Sequence, residues 1–271
     1  MVVLVTGANG QLGQSLQFVA YHYPELQFVF CSSTQLDITD KPNCQAIFQQ
    51  YKPKYCINAA AYTAVDKAES EPEKAHLINV IGAKNLAEVC LEFGTCLLHV
   101  STDFVFDGTK LKPYTEEDTT NPLNVYGQTK LEGENGIKEV LKNHYIVRTS
   151  WVYSQFGANF MKTMLRLAQE RDVISVVNDQ IGCPTHAVDL AKTLLAIVYK
   201  DNQQISDELY GIYNYSGSEV LSWYDFAKKI FKENNCSINV IPITTKEYPT
   251  PAKRPSYSVL DNSKILKNIL S

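Results

Sequence analysis

The chain has 271 residues, 45% of them hydrophobic and 20% charged, and its net charge is −4. This composition supports a full core in one large domain or two smaller ones, leaves no basic surplus for nucleic acid, and holds no apolar run near the ~18 residues a membrane span needs. Seven cysteines without a C-x2-C pair and five histidines without an H-x3-H pair argue for free buried thiols and against a metal site.

In chain order, Val2–Thr6 reads as a buried strand that runs into Gly7-Ala8-Asn9-Gly10-Gln11-Leu12-Gly13. A helix is predicted from Gln11 to Tyr23. A strand, a glycine turn and a helix in that order build an anion site. The helix N-terminus offers unpaired N–H groups and the positive end of its dipole. Glycine lets the backbone approach a pyrophosphate with no Cβ in the way. The Gly-x2-Gly-x2-Gly spacing alone also suits an ordinary strand-to-helix turn. Its place directly after an apolar strand favours a dinucleotide site.

The alternation continues. Strands are predicted over Gln27–Cys31, Tyr55–Asn58, Cys96–Ser101 and Tyr145–Thr149. Helices are predicted over Asn43–Tyr51, Pro72–Phe93 (one long helix) and Asn124–Leu141. Strands separated by helices of that length imply parallel βαβ units, hence an α/β chain with a doubly wound parallel sheet of the NAD(P)-binding Rossmann type over residues 1–150. After Ser150 the pattern loosens. Ala158–Gln169, Val188–Tyr199 and Trp223–Lys232 read as helices, Val173–Val177 as extended, and Pro242–Pro255 as a Pro- and Thr-rich loop. Residues 151–271 are expected to form a smaller, mainly substrate-binding α/β region over the carboxyl ends of the sheet, with some segments returning to the first domain.

Tyr126 and Lys130 form a Tyr-x3-Lys pair, which one helix face brings to the same ligand. A phenol near pKa 10 exchanges protons poorly at neutral pH. An ammonium ~4 Å away supplies up to about 4 kcal/mol toward lowering it. A second pair, Tyr224 and Lys228, lies among Trp223, Phe226, Ala227 and Ile230, which read as packing residues. Tyr126 is preferred because it follows the strand ending Val100-Ser101-Thr102, whose terminal hydroxyl stands where such sheets bind substrate.

Gly7, Gly10, Gly13, the run Asn58-Ala59-Ala60-Ala61, Thr102, Tyr126 and Lys130 together resemble the extended short-chain dehydrogenase/reductase superfamily. Longer blocks look like the dTDP-4-dehydrorhamnose reductases: Asn58 to Pro72, Ser101 to Phe106, Pro122 to Gly133, Arg148 to Tyr153, Asn178 to Thr185 and Pro249 to Pro255. The resemblance implies NAD(P)H-dependent reduction of the C4 ketone of dTDP-4-dehydro-6-deoxy-L-mannose to dTDP-L-rhamnose, a precursor of cell-surface polysaccharide. Tyr126 would protonate the C4 oxygen, Thr102 would hydrogen-bond it, and Lys130 would hold the nicotinamide ribose. Dehydratases of the superfamily carry Asp-Glu after the catalytic Thr. Here Asp103 and Phe104 follow Thr102, which favours simple reduction.

The same resemblance implies the wider site. Asn9, Gln11 and Leu12 join the glycines on the cofactor. Asp37 and Ile38 meet the adenine, and Ala59, Ala60, Ala61 and Thr63 line the pyrophosphate and nicotinamide ribose. Asp103, Phe104, Trp151, Asn159 and Arg254 contact the dTDP-sugar. Trp151 also reads as a core tryptophan, and Lys253-Arg254 as a solvated pair. The second strand ends Phe30-Cys31-Ser32-Ser33 with no acid, and no Arg or Lys occurs from Gln14 to Asp40. Ser32 thus suits NADPH with NADH also possible. The acid-bearing C-terminal helix that binds Mg2+ at a dimer interface in some relatives is expected to be absent, which puts Mg2+ in doubt and leaves a monomer or weak homodimer. A cytoplasmic enzyme is expected, with no nucleic-acid or membrane partner. Two alternatives remain: another nucleotide-diphospho-4-keto-6-deoxysugar reductase, and a non-catalytic NADP-binding regulatory subunit resembling that of methionine adenosyltransferase.

Overall fold

A computed structural model describes residues 1–203 and 207–271. Its centre is a six-stranded parallel sheet of β1 (Val2–Thr6), β2 (Gln27–Phe30), β3 (Tyr55–Asn58), β4 (Cys96–Thr102), β5 (His144–Thr149) and β6 (Gly211–Asn214). The strand order is β6-β5-β4-β3-β1-β2. β6 was not foreseen, because a four-residue Gly-Ile-Tyr-Asn strand carries no periodicity to read. Strand alternation divides the core into two layers. Val3, Val5, Tyr55, Ile57, Leu98 and Val147 face one side, and Leu4, Cys56, Leu97 and Ile146 the other.

Helices cover both faces, as buried parallel strands require. One layer holds α1 (Gln11–Ala20), α6 (Ala187–Gln203) and α8 (Ser263–Asn268). The other holds α2 (Lys41–Tyr51), α3 (Ala83–Phe93) and α4 (Val125–Val140). Each fully buried Leu, Ile or Val contributes about 1.5–3 kcal/mol. α1 stops three residues short of Tyr23, ahead of Pro24, whose ring disfavours helical geometry in the residue before it. α2 starts on Asp40, whose side chain accepts from the Asn43 N–H.

The single helix expected over Pro72–Phe93 is instead broken. A helical turn, Pro72–His76, passes into a π-helical stretch, Leu77–Gly82, before α3. Ile38 fills the space over Gly82, where a Cβ would stand 2.7 Å from its side chain. Asn79 turns inward, accepting from Tyr62 N and donating to Thr129 Oγ1. Such bulges arise where a side chain must be aimed inward.

A smaller cluster lies beyond the sheet. α5 (Phe160–Glu170) and α7 (Trp223–Glu233) pack Met164, Phe226, Ile230 and Phe231 against Ile174 and Val176. Strand Val173–Val177 pairs in parallel with Asn239–Ile243, so Pro242 and Ile243 belong to a strand rather than to the expected loop. This two-stranded sheet tolerates a proline because its edges are free. α6 returns to pack on α1. A short helix, Ser263–Asn268, follows, and it differs from the acid-bearing helix of some relatives. α8 carries two lysines and no acid, and it docks Ile265 on the main core. Among the described residues no helix is long and apolar enough to cross a membrane, and no group of three or more His, Cys, Asp or Glu is placed to hold a metal ion. All seven cysteines are free.

Candidate active site

The carboxyl ends of β1, β3 and β4 meet the start of α1 and α4. Gly7 has φ +65°, and a Cβ there would lie 2.8 Å from the Ala59 carbonyl. At Gly13 a Cβ would lie 2.3 Å from the Gly7 oxygen, so α1 rests directly on the turn. Gly10 differs. It donates to Gly7 O at 2.9 Å, and its Cβ would meet only that oxygen, at 3.2 Å. Its open side faces away from the protein. No side chain caps α1, and its first turn holds no acid. An uncapped, acid-free helix start behind a glycine cradle fits a pyrophosphate, and this chain passes that test for a dinucleotide.

The rest of the expected cofactor contacts ring this turn. Asn9 and Thr63 are exposed, and Ala59, Ala60 and Ala61 are half-buried beside Gly7. Leu12 packs against the main core from the first turn of α1. At the tip of β2, Ser32 directs both its N–H and its hydroxyl to Gln35 Oε1, giving a polar, uncharged rim. Asp37 folds its carboxylate onto Thr39, while Ile38 is buried on Gly82.

Thr102 ends β4 and Tyr126 lies in the first turn of α4. Asn124 caps that helix through Gly127 N and ties it to the Lys253 carbonyl. A Cβ on Gly127 would fall 2.2 Å from the Phe104 oxygen, so only glycine lets the helix approach the end of β4. Phe104 stands edge-on to the Tyr126 ring at 5.6 Å. Burial pushes the Tyr126 phenol up to about 12, and the nearby Thr102 hydroxyl offsets part of the rise. The expected lowering by an ammonium is not found in this state. Lys130 is buried and points elsewhere, at the Val100 carbonyl (2.8 Å) and His99 Nε2 (3.0 Å). Burial pulls its own pKa down to about 8, against the pull of Glu134.

Asp103 is buried beside these groups. It accepts from Thr102 Oγ1 at 3.0 Å, its Oδ2 has no partner, and burial pushes it up to about 6. Beneath Lys130, Glu134 pairs with Arg148 at 2.7 Å and accepts from Ser101 Oγ at 2.5 Å, all buried. Sequence reasoning missed His99, Glu134 and Arg148. The signal was available: His99 and Ser101 share a strand face, and Glu134 lies one turn beyond Lys130.

The expected sugar-side residues divide. Trp151, at φ +48°, stacks on Trp223 with ring centres 3.5 Å apart, and Gly182 leaves room for its indole. It is half-buried, neither sealed in the core nor free. Asn159 caps α5, and its amide donates to Gln11 Oε1 at 2.6 Å and to two loop carbonyls. Gln11 in turn holds the Val152 carbonyl, so this pair ties the glycine turn to the smaller region. Arg254 is held in a two-pronged pair with Asp66, at 2.7 and 3.0 Å, which keeps the Asp66 carboxyl below its usual range. Lys253 is exposed. Of the decoy pair, Lys228 lies over the Tyr224 ring on α7, apart from the sheet ends.

Comparison with known proteins agrees with this geometry. The family model described as RmlD substrate binding domain matches residues 1–271. A dTDP-4-dehydrorhamnose reductase of Aggregatibacter actinomycetemcomitans is 45% identical over 97% of this chain and 91% of that protein. Among solved structures, a dTDP-4-dehydrorhamnose reductase from Clostridium acetobutylicum has TM-score 0.92 and 43% identity, covering 98% of this chain and 92% of the other. The Bacillus anthracis dTDP-4-dehydrorhamnose reductase in complex with NADP has TM-score 0.93 and 41% identity over the same shares.

Proposed function

Since the chain belongs to the RmlD substrate binding domain family, alongside the dTDP-4-dehydrorhamnose reductases, we propose that it reduces the C4 ketone of dTDP-4-dehydro-6-deoxy-L-mannose to dTDP-L-rhamnose. The observation that carries this is the meeting of Thr102 and Tyr126 at the end of β4 beside an uncapped glycine cradle. The enzyme is an NAD(P)H-dependent oxidoreductase. The reduced nicotinamide, when bound, supplies hydride to C4.

The chain's own residues do the rest. Tyr126 donates its phenolic proton to the developing C4 oxyanion, and a phenol near pKa 12 remains fully protonated at neutral pH until that moment. Thr102 hydrogen-bonds the same oxygen. Lys130 reaches the nicotinamide ribose. Gly7, Asn9, Gly10, Gln11, Leu12 and Gly13 hold the pyrophosphate, and Asp37, Ile38, Ala59, Ala60, Ala61 and Thr63 complete the cofactor contacts. Trp151 with Phe104 and Asp103 borders the sugar. Asn159 acts here through Gln11, as a brace, and Arg254 meets the diphosphate once released from Asp66. The uncharged rim at Ser32 supports NADPH, with NADH also used. We assign residues 1–150 to the cofactor and 151–271 mainly to the substrate. Reliance on NADPH and a nucleotide sugar supports a cytoplasmic enzyme, working as a monomer or weak homodimer.

The test is NADPH and NADH oxidation with the 4-keto sugar generated in situ, beside Tyr126→Phe. Rapid oxidation, reduced ~100- to 10,000-fold in the variant with cofactor affinity kept, is expected for loss of a general acid. Tight NADPH binding without oxidation would overturn the assignment and favour a different nucleotide sugar or a regulatory subunit.

A further inference from the structure

Trp151 is held in a conformation that its own preferences oppose. Its φ is +48°, where a bulky side chain is strained. Two other non-glycine residues share that region among the described residues, and both follow helices. Lys52 ends α2, and Asn235 stands just past α7. Trp151 instead lies two positions beyond Thr149, the register partner of Thr102 across β4 and β5. The left-handed turn thus falls beside the catalytic hydroxyl. There the Trp151 ring lies on Trp223, with centres 3.5 Å apart and planes within 8°. Aromatic pairs left to themselves prefer offset or edge-on geometry at about 4.5–7 Å, so the surroundings impose this overlay. A Cβ on Gly182 would stand 2.6 Å from the indole Cε2 and 2.8 Å from Nε1, so the indole edge rests on that backbone. One short ribbon supplies both contacts. Leu221–Ser222 pairs antiparallel with Ile181–Gly182, which puts Trp223 directly after one strand and Gly182 in the other. Ser222 Oγ accepts from Asp225 N and lies 3.0 Å from Asn178 Oδ1, fixing where α7 and its first residue, Trp223, begin. Phe160 backs Trp223 at 4.6 Å. Both tryptophans are nonetheless only half-buried.

We propose that Trp223 is a positioning residue that sets the plane of the Trp151 indole and, through it, the placement of the sugar ring. This rests on the reductase reading, in which Trp151 borders the sugar. A 6-deoxy sugar offers a methyl and ring C–H groups, and a fixed indole gives them a flat apolar wall. Trp151 does not supply that orientation alone. With Trp223 cut back, one face of the indole loses its support, and the strained φ and the side chain relax together. The sugar C4 then shifts relative to the hydride donor and Tyr126. A displacement near 1 Å at a reacting centre costs on the order of 100-fold in rate. Cofactor binding is spared, because the cradle is built from the Gly7 turn, the Ala59–Ala60 backbone and α1.

The test is a double-mutant cycle on Trp223→Leu and Trp151→Leu, read as kcat and KM for the 4-keto sugar generated in situ. Trp223→Leu should lower kcat/KM by about tenfold or more while NADPH affinity is kept. In the Trp151→Leu background the same substitution should change kcat/KM by less than about twofold, because its route to the sugar is gone. A purely structural role would lower both backgrounds by the same factor, and that result overturns the proposal. Trp223→Phe keeps a flat partner and should stay within about threefold of wild type. The chain has two tryptophans, so its tryptophan emission reports this pair. Saturating dTDP-L-rhamnose should change that emission beyond the change made by dTDP alone. The same should hold in Trp223→Phe, where Trp151 alone emits. If the leucine variants do not fold, this emission decides the matter, and a sugar that adds nothing to the dTDP response overturns the proposal. Absence of wild-type turnover with the emission response as expected would overturn the reductase reading alone.

Discussion

Replacing Asp103 by Asn should make the protein more stable at neutral pH, although it alters the candidate active site. The folded carboxyl titrates at about 6, raised from 3.8 by burial, with the Ser258 hydroxyl, Thr102 and the Phe104 N–H working the other way. The folded state therefore holds a proton that the unfolded state releases across the interval between those values. Stability falls as pH rises through that window, and the loss is complete above it. About two pH units at ~1.4 kcal/mol each give about 3 kcal/mol. Other carboxylates act in the opposite sense. Asp107, for example, is held down at about 2 by bonds from Thr109 and Asn121. Total stability thus hides the effect, and the difference between variant and wild type isolates it. Asn keeps an acceptor for Thr102 Oγ1 and removes the buried charge whose Oδ2 has no partner. Urea unfolding should show the variant gaining on wild type by about 3 kcal/mol between pH ~4 and pH ~7. Parallel curves would refute the idea that this carboxylate is charged at neutral pH at the expense of stability. They would mean instead that solvent or a bound ion reaches Oδ2.

The glycine cradle can be tested by separating binding from folding. Gly13→Ala forces a Cβ to 2.3 Å from Gly7 O and 2.6 Å from Ala8 Cα, both backbone, and should cost about 1–3 kcal/mol in chemical denaturation as well as cofactor affinity. Gly10→Val meets only one protein atom, at 3.2 Å, so its stability should stay within about 1 kcal/mol while NADPH fluorescence titration loses binding. Unchanged affinity in Gly10→Val would remove the pyrophosphate from this turn. Asp66→Asn should free the Arg254 guanidinium with a stability change below about 1 kcal/mol, because the pair is partly solvated. KM for the dTDP-sugar should then fall a few-fold, and Arg254→Ala should raise it. Equal KM in both variants would confine Arg254 to bracing the loop.

What sequence could and could not say about this site follows from the range of the forces involved. Gly7, Gly13 and the β1-to-α1 turn were legible because the constraint is local. A backbone at φ +65° and a helix resting on a carbonyl exclude every side chain at those positions. The βαβ alternation was legible for the same reason, through strand runs such as Val2–Thr6 and Cys96–Thr102 bounded by helical ones. The break at Leu77–Gly82 was not, since it depends on Ile38 arriving from another crossover to sit on Gly82. Nor were the partners of Asn159 and Arg254. Each was read as a ligand group through the resemblance, yet each also bonds a residue more than a hundred positions away, Gln11 and Asp66. The Tyr126 environment shows the limit most clearly. Spacing placed Lys130 on its helix face, but whether that lysine lowers the phenol depends on where Nζ points and what protonation state its neighbours allow. Those neighbours, His99 and Val100, come from β4, and His99 in turn meets the Asn58 amide on β3. A two-residue motif thus takes its chemistry from two neighbouring strands, and its environment becomes readable only once the sheet has been assembled.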